Sequence, residues 1–311
     1  MGLKKILKGL FSVFDGKSAR NEILLKKRLE VINNANRINF AVVLRTVSEA
    51  IIAGNYKLVC KILEPIVLGL ENSESYKKEL KSNFYDFSKN FEAILYLETQ
   101  KNKEETKIMN TNAPYSLLYY FYGAALSNCA KLEDAKKSFK TALRWNPVSA
   151  DILAEYAMNC YRDFDYEEFF KVTLESFKYA YIPEQLSICY KYMGLYYRRV
   201  KKYEAAKCCF LLSLKYKNDK QAKHLLDLNN ESLKELDKEL YDLNDEEIEV
   251  YGEKFGFPTK PSNLVIKTCF FWGEKFLVKG NKKLARYFYG KVYNVTKSTY
   301  LKTLLESLQD N

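Results

Sequence analysis

His224 is the only histidine in this chain of 311 residues. It stands in a charged helical stretch, and the sequence places no cysteine, serine or carboxylate beside it, so no base–nucleophile pair forms. Asp15-Gly16-Lys17-Ser18 has the ending of a phosphate-binding loop. Phe11 occupies the position of the loop's first glycine, and a basic amphipathic segment precedes it instead of a strand. Glu246 and Glu247 are adjacent on an acidic helix, which is surface chemistry rather than acid/base spacing. No HExxH, GxSxG or GxGxxG occurs. Seven cysteines (Cys60, Cys129, Cys160, Cys189, Cys208, Cys209 and Cys269) include no CxxC pair. They lie in apolar helical patterns and read as small buried residues in a reducing compartment, which predicts a cytoplasmic location. In such a compartment the sequons at Asn230 and Asn294 carry no glycan. These residues together predict a chain that is not an enzyme, with no cofactor and no metal.

The elements that position side chains are helices. Six prolines and twelve glycines are too few for short strands joined by tight turns, and a 47% hydrophobic composition supplies a substantial core. The most regular stretch carries Tyr119, Tyr122, Gly123, Leu126, Ala135, Phe139, Ala142 and Pro147. It returns 71 residues later as Tyr190, Met193, Gly194, Tyr197, Ala206, Phe210 and Ser213. Recurrence at fixed offsets is the mark of a stacked repeat. A weaker unit lies between, with Leu153, Tyr156, Ala157 and Cys160, then Tyr166, Phe169, Phe170 and Thr173.

The pattern resembles the tetratricopeptide repeat (TPR), a 34-residue helical hairpin. Tyr119, Gly123, Ala135, Phe139, Ala142 and Pro147 carry the resemblance first. Tyr190, Gly194, Tyr197, Tyr203, Ala206 and Phe210 carry it again, with Asn218 at the proline position. Trp272, Gly273, Phe276, Gly280, Ala285 and Tyr289 give a third match. Gly54 and Tyr56 suggest a degenerate hairpin near the start. The resemblance covers about 115–218 and 266–297. It implies an all-α, TPR-like helical-hairpin solenoid with divergent N-terminal helices. In such an array the listed residues are core, and stacked neighbours bury what one hairpin cannot.

Five segments follow: a basic amphipathic segment over 1–30, divergent helices over 31–110, three hairpins over 111–225, an acidic helix and loop over 226–262, and a last hairpin with a final helix over 263–311. Within them, periodicity predicts a helix over 38–52, a second over 58–63 that Pro65 kinks or ends, and an amphipathic helix over 82–98. The acidic stretch 226–250 reads as one helix with a leucine stripe. It is either a solvated face or a counterpart to a basic groove.

Net charge is +11, yet only nine of the 50 basic residues are arginine. Lysine excess argues against base and phosphate readout by bidentate side chains, and so against a nucleic-acid partner. Residues 1–14 make a basic amphipathic helix, which either docks on the protein or lies on a membrane surface. No apolar run reaches transmembrane length.

The resemblance places the inner surface on the first helices of the hairpins. The inward positions are Tyr120, Ala124, Ser127 and Asn128 in one repeat, and Met158, Tyr161 and Arg162 in the next. In the third they are Lys191, Leu195, Arg198 and Arg199. A concave basic and aromatic groove of Tyr120, Asn128, Met158, Tyr161, Arg162, Lys191, Arg198 and Arg199 would suit an acidic peptide or partner helix. The Lys-Asn-Asn-Lys-Arg carboxylate clamp known in the family is absent, since Tyr120, Ala124 and Glu155 replace its first three members. The expected function is a protein-interaction scaffold. The alternatives are a membrane-surface adaptor acting through residues 1–14, and non-specific nucleic-acid binding.

Overall fold

Side-chain caps set where many of the helices begin. Asn55, Asp165 and Asn281 each accept a hydrogen bond from the backbone N–H three residues on, at 3.2, 3.2 and 3.0 Å, which satisfies a donor the helix leaves open. The computed structural model describes residues 38–101, 107–237 and 243–308. The amphipathic segment expected over 1–14 lies outside the described residues, as do the first 37 positions altogether. Among the described residues the architecture is all-α, with fifteen helices and one pair of two-residue strands.

The chain divides into two units. The first contains the described residues through 92 and from 107 to 147. It holds α1 (Phe40–Ile52), α2 (Tyr56–Asn72), α3 (Glu74–Leu80), β1 (Phe84–Tyr85), β2 (Met109–Asn110), α5 (Tyr115–Asn128) and α6 (Leu132–Trp145). The boundary falls inside α4 (Asn90–Thr99). Helices α1 and α2 pack on α5, and α5 packs on α6. Tyr76, Tyr115 and Trp145 form its aromatic centre, with ring centroids 4.7–5.3 Å apart. Such aromatic pairs add to the stability that apolar burial gives.

One helical expectation fails in this unit, and of the kink or end expected at Pro65 the end does not occur. Residues 82–98 are not one helix. Residues 84–85 pair in parallel with 109–110, and the Asp86 N–H donates to Trp145 O at 2.9 Å, which holds this stretch extended. The helix starts only at Asn90, where the Glu92 carboxylate accepts from Ser88 Oγ at 2.9 Å and Lys89 N at 3.1 Å. Nor does Pro65 end its helix, because α2 continues to Asn72. Pro65 faces solvent between the buried pairs Ile62–Leu63 and Ile66–Val67, so water can serve the carbonyl that lacks its donor.

The second unit contains residues 93–101 and the described chain from 148 onward. Its helices are α7 (Ala150–Arg162), α8 (Tyr166–Tyr179), α9 (Pro183–Arg199), α10 (Tyr203–Tyr216), α11 (Lys220–Glu235), α12 (Asp245–Phe255), α13 (Asn263–Val278), α14 (Lys282–Thr296) and α15 (Thr299–Ser307). Helices α7 to α11 pack in succession, and α12 returns to α10. The acidic stretch 226–250 is therefore two helices rather than one. Asn244 and Glu247 form a capping box that restarts the chain as α12. Two of its carboxylates pair nearby: Asp245 with Lys215 at 2.7 Å and Glu249 with Lys260 at 2.8 Å.

Among the described residues five hairpins turn in one way. Gly54, Ala130, Phe164, Lys201 and Gly280 all adopt left-handed backbone, with φ of 58–76°. The next N–H donates back to the carbonyl of Ala50, Leu126, Cys160, Tyr197 or Phe276 respectively, at 2.8–3.0 Å. This is the six-to-one closure that ends a helix at a left-handed residue.

Candidate functional site

The inward residues do not all reach one surface. Tyr120 is buried in the first unit, and its ring packs on Phe121 at 5.3 Å. Asn128, in the same unit, is exposed and turns its amide to Ala124 O at 2.8 Å. Lys191, in the second unit, is 6% exposed. Its ammonium donates to Asp219 Oδ2 at 2.8 Å and Gln221 Oε1 at 3.3 Å, so its charge is spent inside the fold. Desolvation by burial raises the Asp219 carboxyl's pKa, but the Lys191 hydrogen bond and charge outweigh it and leave it below the ordinary 3.8.

Tyr161, Arg198 and Arg199 do come together. With Leu195, Lys201 and Tyr203 they line a solvent-open hollow of about 320 Å³. The hollow sits where α7 and α9 end and α10 begins. A ladder of rings fixes it. Tyr161 meets Tyr166 and Phe169 at 5.6 and 5.0 Å, and the Arg199 guanidinium lies 4.7 Å above the Tyr166 ring. That stacking holds a cation at the rim while leaving its N–H groups outward. Beside it, the buried Nε–H of Arg198 finds no acceptor among the described residues. A desolvated donor without a partner costs free energy that an incoming acceptor would recover.

Arg162 and Met158 stand on the same helix as Tyr161, exposed and half-buried respectively. Arg162 also acts on Glu155. Burial pushes the Glu155 carboxyl above its ordinary 4.5, against the pull of the Arg162 charge and with the push of Asp151. The fold thus disfavours ionised Glu155, and its cost is present above the raised folded value and fades as pH falls toward the unfolded one. Glu155→Gln is expected to raise the melting temperature at neutral pH, with the gain vanishing below 4.5. Calorimetry across that range checks it, and an unchanged difference at all pH values would refute it.

Lys201 and Tyr203 belong to the hollow but not to the set read from the sequence. They follow the first helix, and only the left-handed turn at Lys201 brings them back beside Arg198. His224 is exposed, and no group of three or more metal-ligating side chains occurs among the described residues. The thiols of Cys189, Cys208 and Cys269 are pushed up to about 12 by burial, which makes them inert.

Arg198 and Arg199 follow Gly194, a position with a recurring contact. In the four hairpins that turn at Ala130, Phe164, Lys201 and Gly280, Gly123, Ala157, Gly194 and Gly273 stand seven residues before the turn, and Phe139, Thr173, Phe210 and Tyr289 stand nine after it. A Cβ on the three glycines would meet the rings of Phe139, Phe210 and Tyr289 at 3.0, 2.5 and 2.7 Å. Close approach of a small residue on the first helix to a ring on the second is what the repeat pattern requires.

The chain is TPR-like.

Comparison with solved structures gives distant neighbours. The C-terminal part of a TPR repeat-containing protein from Cytophaga hutchinsonii is 12% identical with a TM-score of 0.43, covering 94% of this chain and 95% of that one. Pseudomonas aeruginosa pilF is 15% identical with a TM-score of 0.36, covering 62% and 82%. The APC/C Cut9–Hcn1 hetero-tetramer gives 10% identity and a TM-score of 0.27, covering 95% of this chain and 61% of that one. No protein-family model and no curated protein matches the sequence. Among the described residues no helix of this TPR-like chain is long and apolar enough to cross a membrane.

Proposed function

We propose that this TPR-like chain is a non-catalytic protein-interaction scaffold. Its hollow at Tyr161, Arg198 and Arg199 takes an acidic side chain or free carboxylate from an extended partner segment. The observation that carries this reading is the buried Arg198 Nε–H without an acceptor, next to a guanidinium already stacked on Tyr166. Arginine beside tyrosine gives directional donors and ring area, the combination that anchors interfaces. Met158 and Arg162 extend the surface along α7. Asn128 and Tyr120 belong to a different unit and are not needed for it.

The test uses fluorescence anisotropy with a labelled peptide alternating Glu and Leu, and the full chain. Arg198→Glu/Arg199→Glu is expected to weaken binding about 30-fold, roughly 2 kcal/mol, because two donors become repulsive charges. Tyr166→Leu, which removes the support under Arg199, should weaken it less. Equal affinity of the arginine variant and the parent chain would remove the hollow from the reading.

A further inference from the structure

The last hairpin carries a second surface of different chemistry. Val278 is 83% exposed, the most exposed large apolar side chain among the described residues. It sits at the tip, where α13 ends and the Gly280–Asn281 turn begins. The turn that follows it, with Lys279, Lys282 and Lys283, lines an open hollow of about 560 Å³. Lys279 and Lys283 meet no carboxylate among the described residues. Positions 271, 275 and 278 share a helix face by their spacing. Phe271 there is 54% exposed, and the Lys275 ammonium lies 5.7 Å from its ring centroid. Residues 263–296 hold seven basic side chains and a single carboxylate, Glu274.

We propose that this tip docks on membranes rich in anionic lipid. The apolar and basic components each argue for that occupant. Lysines are compact point charges that suit a diffuse anionic surface, where each contributes about fivefold in affinity. Val278 is almost wholly exposed and Phe271 about half exposed, its ring edge-on to Trp272 at 5.8 Å, so both leave apolar surface in water beside those charges. In a headgroup layer they would leave water for the acyl boundary, as an interfacial helix does with its apolar face. A nucleic acid would use the lysines and a stacking ring, but it offers an exposed valine nothing.

Full-length chain is sedimented with phosphatidylcholine vesicles, with and without about 30% phosphatidylserine. Binding is expected only with the anionic lipid. Lys279→Glu/Lys282→Glu/Lys283→Glu should weaken it at least about 100-fold, and Val278→Ser, at unchanged charge, about fivefold. These positions are exposed, and circular dichroism checks that the variants fold. A direct readout comes from tryptophan. The chain has two, and Trp145 is fully buried whereas Trp272 is half-buried under Lys275, 4.5 Å from its ammonium. Brominated lipid should quench Trp272 in the parent chain and not in Trp272→Phe. Sedimentation of the charge-reversed variant like the parent would overturn the proposal, since binding would then come from elsewhere in the chain. So would loss on charge reversal with no effect of Val278→Ser or bromine. That result marks a plain polyanion surface for RNA or an acidic protein. Arg198→Glu/Arg199→Glu should leave vesicle binding intact, which separates this surface from the peptide hollow.

Discussion

Asp219→Ala is expected to cost the second unit about 3–5 kcal/mol, because it leaves the Lys191 ammonium buried without its counter-charge. The pair is short, at 2.8 Å, and the Lys191 side chain is only 8% exposed against 20% for Asp219. The asymmetry decides the size of the effect. Without Asp219, Lys191 keeps only the weaker contact with Gln221 Oε1 at 3.3 Å, and water does not reach it freely. Lys191→Met is expected to cost much less, about 1 kcal/mol, since an apolar chain fills the site and Asp219 retains solvent. Asp219 also accepts from Gln221 N at 3.0 Å as the cap of α11, a term of about 1 kcal/mol that Asp219→Asn should preserve. Urea unfolding at neutral pH, with hydrogen exchange of α9 to α11, measures all three variants. Asp219→Ala matching the parent within error would show that Lys191 finds another acceptor. The sign with pH is fixed too. The folded carboxyl sits below its unfolded value of 3.8, so the stabilisation is complete above that value. It is lost as pH falls through the depressed folded one, and parent and Asp219→Ala should converge there.

Lys191 also shows why the hollow was only partly legible in the sequence. Counting inward positions from Gly194 set Arg198 and Arg199 together at one end of α9, because helix geometry fixes offsets within one helix. The same count gave Lys191, whose fate depends on Asp219, 28 residues away across a hairpin and a turn. Lys201 and Tyr203 escaped because a lysine in left-handed backbone leaves no trace in composition. Three of the five hairpin turns use Ala130, Phe164 or Lys201 where Gly54 and Gly280 do so in the others. The helical hairpins themselves were legible wherever a small residue faced a ring. Residues 82–98 failed because pairing with 109–110 and the Trp145 carbonyl overrode local periodicity, a contact no window of sequence contains.

Gly194→Ala is the sharper test of how the repeat is built. The added methyl would lie 2.5, 2.7 and 2.9 Å from three atoms of the Phe210 ring, inside the closest approach of real side chains. Phe210 is fully buried, so its ring cannot swing into solvent. Overpacking of this kind is expected to cost about 3 kcal/mol, outweighing the modest gain in helix propensity of alanine over glycine. The chain contains its own control. In the α7–α8 hairpin the corresponding positions are Ala157 and Thr173, both buried, so a methyl on the first helix is accommodated by a smaller partner on the second. Phe210→Leu alone should cost about 1–2 kcal/mol through lost volume. Combined with Gly194→Ala it should recover much of the loss, giving a coupling of about 2 kcal/mol in a double-mutant cycle. Additive costs would mean that the glycine is required for backbone approach rather than for the ring. In that case Ala157 owes its tolerance to a displaced α7 and not to Thr173. Gly123→Ala, where the nearest ring atoms stand at 3.0 Å, should cost less than Gly194→Ala, and Gly273→Ala, at 2.7 Å, should fall between.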